Sequence, residues 1–384
     1  MTDQCEKVIT IPQFTGTCWF NSILMVCLYS HRMRQLLLNK IKLIDSKYKN
    51  DPLMKIFINI IESKYFEEIN APKDEIVSKL ELKPEEIIDN LNKINKSMFY
   101  VTLNQNNNNI GYFPQFYINR FLTFFNINYN NIILIDYLNN TKKFCISQSF
   151  YKEKFNTMYL NFIDSNIIVK KRTDFIDDDS YNDYIQTFVN NFEDYKKKQE
   201  VYLKILYKEL YEKYKNGNFD ILIITYPLGG SFTLEDDFYY ELDYFKINDQ
   251  IQINNNTFIL DSMILSNYNS NLCKKSHAIA GITCNDKRYI YNGWTSQTID
   301  PTLNLKMTQK IKLFNTVPCS LIPYDWFNPN EDLSFCLNLE KCKLDFIKPD
   351  RQFSKKNMCF DIKKGENMHI FINKSCINPT FINN

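Results

Sequence analysis

A chain of 384 residues with 44% hydrophobic and 15% aromatic content can bury the core of one large or two small domains, which excludes a disordered chain and a small disulfide-stapled peptide. Lys and Arg number 46 against 44 Asp and Glu, a formal net charge of +2, so charge gives no ground for a nucleic-acid or anionic-membrane partner. The longest apolar runs, SILMVCLY and ILIITYPL, fall well below the ~18 residues of a membrane span, and the chain is expected to be soluble.

Eleven cysteines are present, none in a Cys-x-x-Cys pair, and the N-terminal MTDQCEKVIT has no apolar signal core. Reduced thiols in a cytosol-like compartment are therefore expected, with no cofactor and no metal. Heavy use of Asn, Ile, Lys, Tyr and Phe beside only 8 Gly and 12 Pro reads as the coding bias of an AT-rich genome.

In chain order, apolar residues recur at helical spacing from Trp19 through Phe20, Ile23, Leu24, Cys27 and Leu28 to Leu36 and Leu37, which predicts one buried helix reaching about Lys40 with Cys18 at its start. Residues 51–69, 75–96 and 114–126 also read as helices, and NQNNNNIG (104–111) as a loop. NIILIDYL from Asn131 and TMYLNFI from Thr157 read as strands, and a charged amphipathic stretch over 181–215 as helix. Strand signals then dominate: DILIITYPL, FILDSMILSN, SHAIAGITC, RYIYNGW and CSLIPYDW, followed by DLSFCLNL and MHIFIN in the tail. The order predicts an α+β fold, helices packed on one side of a mainly antiparallel sheet. Residues 1–330 are assigned to one domain with a large helical insertion over about 40–220, and 331–384 to a strand-rich extension.

A thiol at the start of an apolar helix feels the positive end of the helix dipole, and beside an imidazole it can ionise near neutral pH. The chain has three histidines. His31 lies thirteen residues from Cys18, roughly 20 Å along one straight helix, and His369 has no polar companion in its tail segment. His277 remains. HAIAGITC and KRYIYNGW meet through Asn285-Asp286, and a two-residue turn there sets Cys284 opposite Lys287 and His277 opposite Trp294, with Asn292 diagonal to His277. Asn292 would then accept the Nδ1 proton and leave Nε2 to face a thiol. Gln13, five residues before Cys18, could donate to an oxyanion together with the N–H of Cys18.

Each residue alone has a plainer reading: Cys18 as a small buried hydrophobe, His277 as a satisfied strand histidine, Asn292-Gly293 as a turn. Their joint occurrence in this order favours a catalytic set. Cys273, Cys284, Cys336 and Cys342 lack zinc-type spacing and read as core or surface thiols. Pro227 to Gly230, PLGG, looks like the tails cut by ubiquitin-type and some viral peptidases, although a turn after ILIITY is the simpler reading.

GTCWFNS, SHAIAGI and YIYNGW together resemble the Cys box, His box and Asn-x-Trp of papain-like cysteine peptidases, including the ubiquitin-specific branch, over some 35 of the 384 residues. The resemblance implies a papain-like fold, with Cys18 as nucleophile, His277 as general base and acid, Asn292 as orienting residue and Gln13 as oxyanion donor. The five-residue interval from Gln13 to Cys18 is similar to the ubiquitin-specific arrangement; papain's glutamine stands six before. Three departures stand out. Thr15 occupies the place of a signature cysteine, the His follows the Cys by 259 residues, and the zinc-holding Cys pairs of many ubiquitin-specific proteases are missing. No pro-segment is expected ahead of Cys18. Composition and the wording GTCWFNSIL resemble proteins of large cytoplasmic DNA viruses of the mimivirus type. The implied function is cleavage of peptide or isopeptide bonds in a protein substrate, either ubiquitin-like conjugates or viral precursor proteins, in the host cytoplasm or the virion. The alternative is a catalytically inactive virion structural or binding protein with a peptidase-like fold, and a third reading is another papain-fold acyl transfer, as in a transglutaminase or amidase. Oligomeric state is not legible.

Overall fold

A computed structural model of the chain describes Cys5, residues 10–41 and 43–62 with short gaps, 84–99, 114–135, 143–146, parts of 177–194, 212–226, 240–241, 248–266, 277–293, 321–327, 334–338, 343–345, 357–361 and 367–377. Helix α1, Cys18–Leu28, is buried at every position after Cys18, polar Asn21 and Ser22 included. A helix apolar nearly all round belongs inside the molecule, and α1 lies between the other helices and the sheet.

The single long helix expected through Lys40 is two. Helix α1 ends at Tyr29, whose N–H closes on the Met25 carbonyl, and α2, His31–Ile41, starts afresh. The cause lies 230 residues away in sequence: the buried carboxylate of Asp261 accepts from the backbone N–H groups of Arg32 at 2.9 Å and Met33 at 3.3 Å. It thereby caps the new N-terminus, while Ser30 Oγ donates to the Asp261 carbonyl. Helices α3 (Pro52–Glu62), α4 (Pro84–Ile94), α5 (Lys96–Phe99) and α6 (Pro114–Phe124) follow, three of them opening on a proline whose missing N–H costs nothing in the first turn. The expected helices over 51–69, 75–96 and 114–126 match these within their described parts. The described residues among 181–215 are helical, whereas NQNNNNIG, TMYLNFI and PLGG lie outside the described residues.

The main sheet has ten strands: β1 (Tyr129–Ile135), β2 (Lys143–Ile146), β3 (Ile221–Tyr226), β4 (Tyr240–Glu241), β5 (Gln250–Ile253), β6 (Asn256–Ser266), β7 (Ala278–Cys284), β8 (Lys287–Tyr291), β9 (Ile322–Pro323) and β13 (Asn367–Asn373). Their order is β4-β2-β1-β3-β13-β6-β7-β8-β9, with β5 paired to β6, and every pairing is antiparallel except β1 with β3. A second sheet of β10 (Ser334–Asn338), β11 (Lys343–Asp345) and β12 (Asn357–Asp361) runs β11-β10-β12. The fold is thus α+β with a mainly antiparallel sheet.

Strand alternation divides the core in two. Ile221, Ile223, Ala278, Ala280, Ile282, Tyr289, Tyr291, Ile370 and Ile372 pack with the helices, while Leu222, Ile224, Ile279, Ile290 and Phe371 face the opposite way. On that second face lie Trp326 and the small sheet's Phe335, Leu337, Met358 and Phe360. Gly281 permits this layer: a Cβ there would come within 2.8 Å of the Trp326 ring and of Met263.

The strand expected from Asn131 is β1, and β2 from the same 40–220 segment pairs with it in the main sheet. Two expectations are corrected. The strand Asn367–Asn373 does not belong to a separate extension; it sits inside the main sheet between β3 and β6, buried along its whole length although Asn367, His369 and Asn373 are polar. Nor are all thiols reduced. Cys5 is bonded to Cys284, with Cα atoms 6.1 Å apart, and Cys336 to Cys359, which strand register places directly opposite at a Cα separation of 4.0 Å. Among the described residues no helix is long and apolar enough to cross a membrane.

Candidate functional site

Strands β7 and β8 pair with Cys284 opposite Lys287 and Ala280 opposite Tyr291, the register read from the two-residue turn. Asn285 and Asp286 both take positive φ, 47° and 58°, as a type I′ turn demands. At the open end of this hairpin His277 and Asn292 meet, each almost wholly buried, with His277 Nε2 2.8 Å from Asn292 Oδ1. An amide oxygen only accepts, so Nε2 carries the proton and Nδ1 is the basic nitrogen. This reverses the expected assignment of the two nitrogens, because the diagonal partner is met by the far side of the ring. Burial lowers the imidazole pKa to about 4, against a smaller raising effect of the Asn292 hydrogen bond, so the ring is neutral at pH 7.

Cys18 is the first residue of α1, half-buried, at an N-terminus that lacks a capping side chain: Thr17 makes no cap bond and the first turn holds no acidic residue. The sulfur is instead approached by backbone N–H groups of Ala278, Trp19 and Cys18 itself. Ala278 directly follows His277, so the helix start and the hairpin end are in contact. The expected activated thiolate is not what the resting site favours. Burial pushes the Cys18 thiol above its ordinary value, outweighing the three N–H groups that act to lower it.

Gln13 reaches the same place through its backbone, whose N–H donates to the Gly293 carbonyl at 2.9 Å. Gly293 is a close approach here, since a Cβ would run into the Tyr291 hydroxyl and come within 3.2 Å of Gln13 Cβ. Asn292-Gly293, which taken alone reads as a turn, here makes contact with the Gln13 loop. Trp294 lies outside the described residues. Tyr291, a functional-site residue that no motif marks, donates its hydroxyl to the Ile11 carbonyl and accepts from Asn21 Nδ2. Its signal was the alternation Tyr289, Tyr291 on the helix-facing side of a strand, which buries a phenol that must find a partner.

The other histidines lie elsewhere. His31 neighbours Asp261 and Asp286 at the closed end of the hairpin, and His369 is buried in β13 against Phe327. Of the cysteines read as lone thiols, Cys284 and Cys336 are disulfide-bonded, while Cys273 and Cys342 lie outside the described residues. Among the described residues no cluster of three His, Cys, Asp or Glu side chains could hold a metal ion. No protein-family model matches the chain, and no curated protein matches it.

Proposed function

We propose that the chain is a papain-like thiol hydrolase in which Cys18, His277, Asn292 and Gln13 act together on a peptide or isopeptide carbonyl. One observation carries the reading: a buried imidazole held by a carboxamide, at a hairpin end that also contacts the N-terminus of a cysteine-bearing helix and the loop of Gln13. A helix with the thiol at its start, packed on an antiparallel sheet that carries the His and the Asn, is the arrangement a papain-like fold calls for.

The chemistry follows from the neutral resting pair. As Sγ of Cys18 bonds to the carbonyl carbon, His277 Nδ1 takes the thiol proton, and the imidazolium is held through Nε2 by Asn292. The oxyanion accepts from the N–H of Cys18 and the side-chain amide of Gln13. Collapse breaks the C–N bond, the leaving amine takes the proton from His277, and a thioester remains. Water, giving its proton to His277, cleaves the thioester and regenerates the thiol.

The substrate class is a protein carrying ubiquitin-like conjugates, or a viral precursor protein, and the source a large DNA virus. Disulfides persist in oxidising settings, so of the host cytoplasm and the virion the two disulfides favour the virion. One observation favours a non-catalytic binding or virion protein with a peptidase-like fold instead: burial keeps the thiol protonated and the imidazole uncharged. Ubiquitin bearing a C-terminal vinyl methyl ester separates these. A covalent adduct that is lost in Cys18→Ala and His277→Ala supports the hydrolase and the ubiquitin-like substrate. Labelling by a small peptide vinyl sulfone alone, still His277-dependent, removes the ubiquitin assignment, and reaction at the rate of an ordinary thiol with either probe removes catalysis.

A further inference from the structure

We infer that the buried hydroxyl of Tyr291 is the positioning group of this site, holding the Gln13 loop, the first turn of the Cys18 helix and the strand end bearing Asn292 in fixed relation to one another. The inference rests on the thiol-hydrolase reading and adds to it a residue that touches no substrate.

The phenol bonds to two elements and is carried by a third. Its O–H donates to the carbonyl of Ile11, two residues before Gln13, at 2.5 Å. It accepts from Nδ2 of Asn21, one helical turn after Cys18, at 3.3 Å. The residue itself immediately precedes Asn292, and its hydroxyl fills the space a side chain at Gly293 would need. Any buried tyrosine needs partners for its oxygen. Here each partner belongs to a different segment, and each lies within three residues of a group assigned a step in acyl transfer. Burial raises the phenol pKa, so it remains a proton donor throughout the working range.

Two reactions of Cys18 separate positioning from packing. Acylation by p-nitrophenyl acetate forms the S–acyl bond, expels p-nitrophenolate, sends the thiol proton to His277 and develops an oxyanion. Alkylation by iodoacetamide displaces iodide at a saturated carbon and develops none. Tyr291→Phe keeps the ring and removes both hydrogen bonds. It is expected to slow acylation by about 10- to 100-fold, as loss of donor alignment does, and to leave the alkylation rate and its pH midpoint nearly unchanged. Asn21→Ala, which removes one of the two bonds, is expected to give a smaller loss in the same direction, and it decides the matter if Tyr291→Phe does not fold. An acylation rate equal to wild type in a folded variant overturns the inference, as does an equal loss in acylation and alkylation, which marks a packing role. If the wild type shows no His277-dependent acylation at Cys18, the hydrolase reading fails and this inference with it.

Discussion

The Nε2 of His277 stands 2.8 Å from the Oδ1 of Asn292, both side chains buried, fifteen residues apart in sequence and joined across the open end of a single hairpin. Replacing Asn292 by Ala leaves the Nε2 proton buried without its acceptor and the ring without its orienting bond, so acylation of Cys18 should fall about 100-fold. Asn292→Asp puts a carboxylate in the same place, which favours the imidazolium. Its expected result is a His277 pKa raised well above the present value of about 4, with most activity kept, and titration of the ring by NMR checks it.

The histidines make the fold acid-sensitive. Burial, aided for His369 by the charge of Arg288, lowers His277 to about 4 and His369 to about 3. An unfolded histidine titrates near 6.5, so below that pH the unfolded chain binds more protons and stability falls as pH falls toward 4. Each histidine contributes about 1.4 kcal/mol per pH unit in that window. The buried Asp261 carboxyl, pushed up by burial, acts in the opposite sense at the acid end. Denaturant unfolding at a series of pH values should show this slope, and His369→Gln should reduce it, with His277 and His31, whose pKa burial also lowers, carrying the rest.

The cap on α2 has a measurable cost. Asp261→Ala strips the acceptors from the Arg32 and Met33 N–H groups and the weaker of two carboxylate partners from the Arg32 guanidinium, which keeps Asp286 at 2.9 Å, and should destabilise the fold by about 2–4 kcal/mol. Asp261→Asn keeps an acceptor and should cost less. Chemical denaturation of the two variants gives the comparison.

The Cys5–Cys284 bond closes a separation of 279 residues, against 23 for Cys336–Cys359. In the chain-entropy account Cys284→Ser should therefore cost more stability, about 5 kcal/mol against about 3 for Cys359→Ser. Unfolding midpoints with and without reductant test the order, and identical midpoints under both conditions would contradict it.

Local chemistry was legible and distant chemistry was not. The hairpin register could be read because a two-residue turn acts on its own neighbours, and Asn285 and Asp286 tolerate the positive φ it needs. The break at Tyr29–Ser30 could not, since continuous apolar spacing predicts one helix and the cap comes from a strand more than two hundred residues later. The central position of Asn367–Asn373 was hidden for a related reason: its alternating Met368, Ile370 and Ile372 mark a strand with a buried face, not the partners it lies between. Pairing of Cys5 with Cys284 depends on the same distant contacts. The His277–Asn292 contact was legible from the register, but the choice of ring nitrogen depends on side-chain rotation that no spacing encodes.

Cys18 is proposed to be a nucleophile served by His277. Of the other described free thiols, Cys27 is buried and Cys376 is raised to about 11 by burial and then Asp220, so neither competes near neutral pH. The direct measurement is to incubate the protein with p-nitrophenyl acetate at pH 7, quench in acid and locate the acetyl group by mass spectrometry. The expected product is a thioester on Cys18, absent in Cys18→Ala and formed about 100-fold more slowly in His277→Ala. Acetylation spread over other residues, or at an equal rate on Cys18 with and without His277, would contradict it.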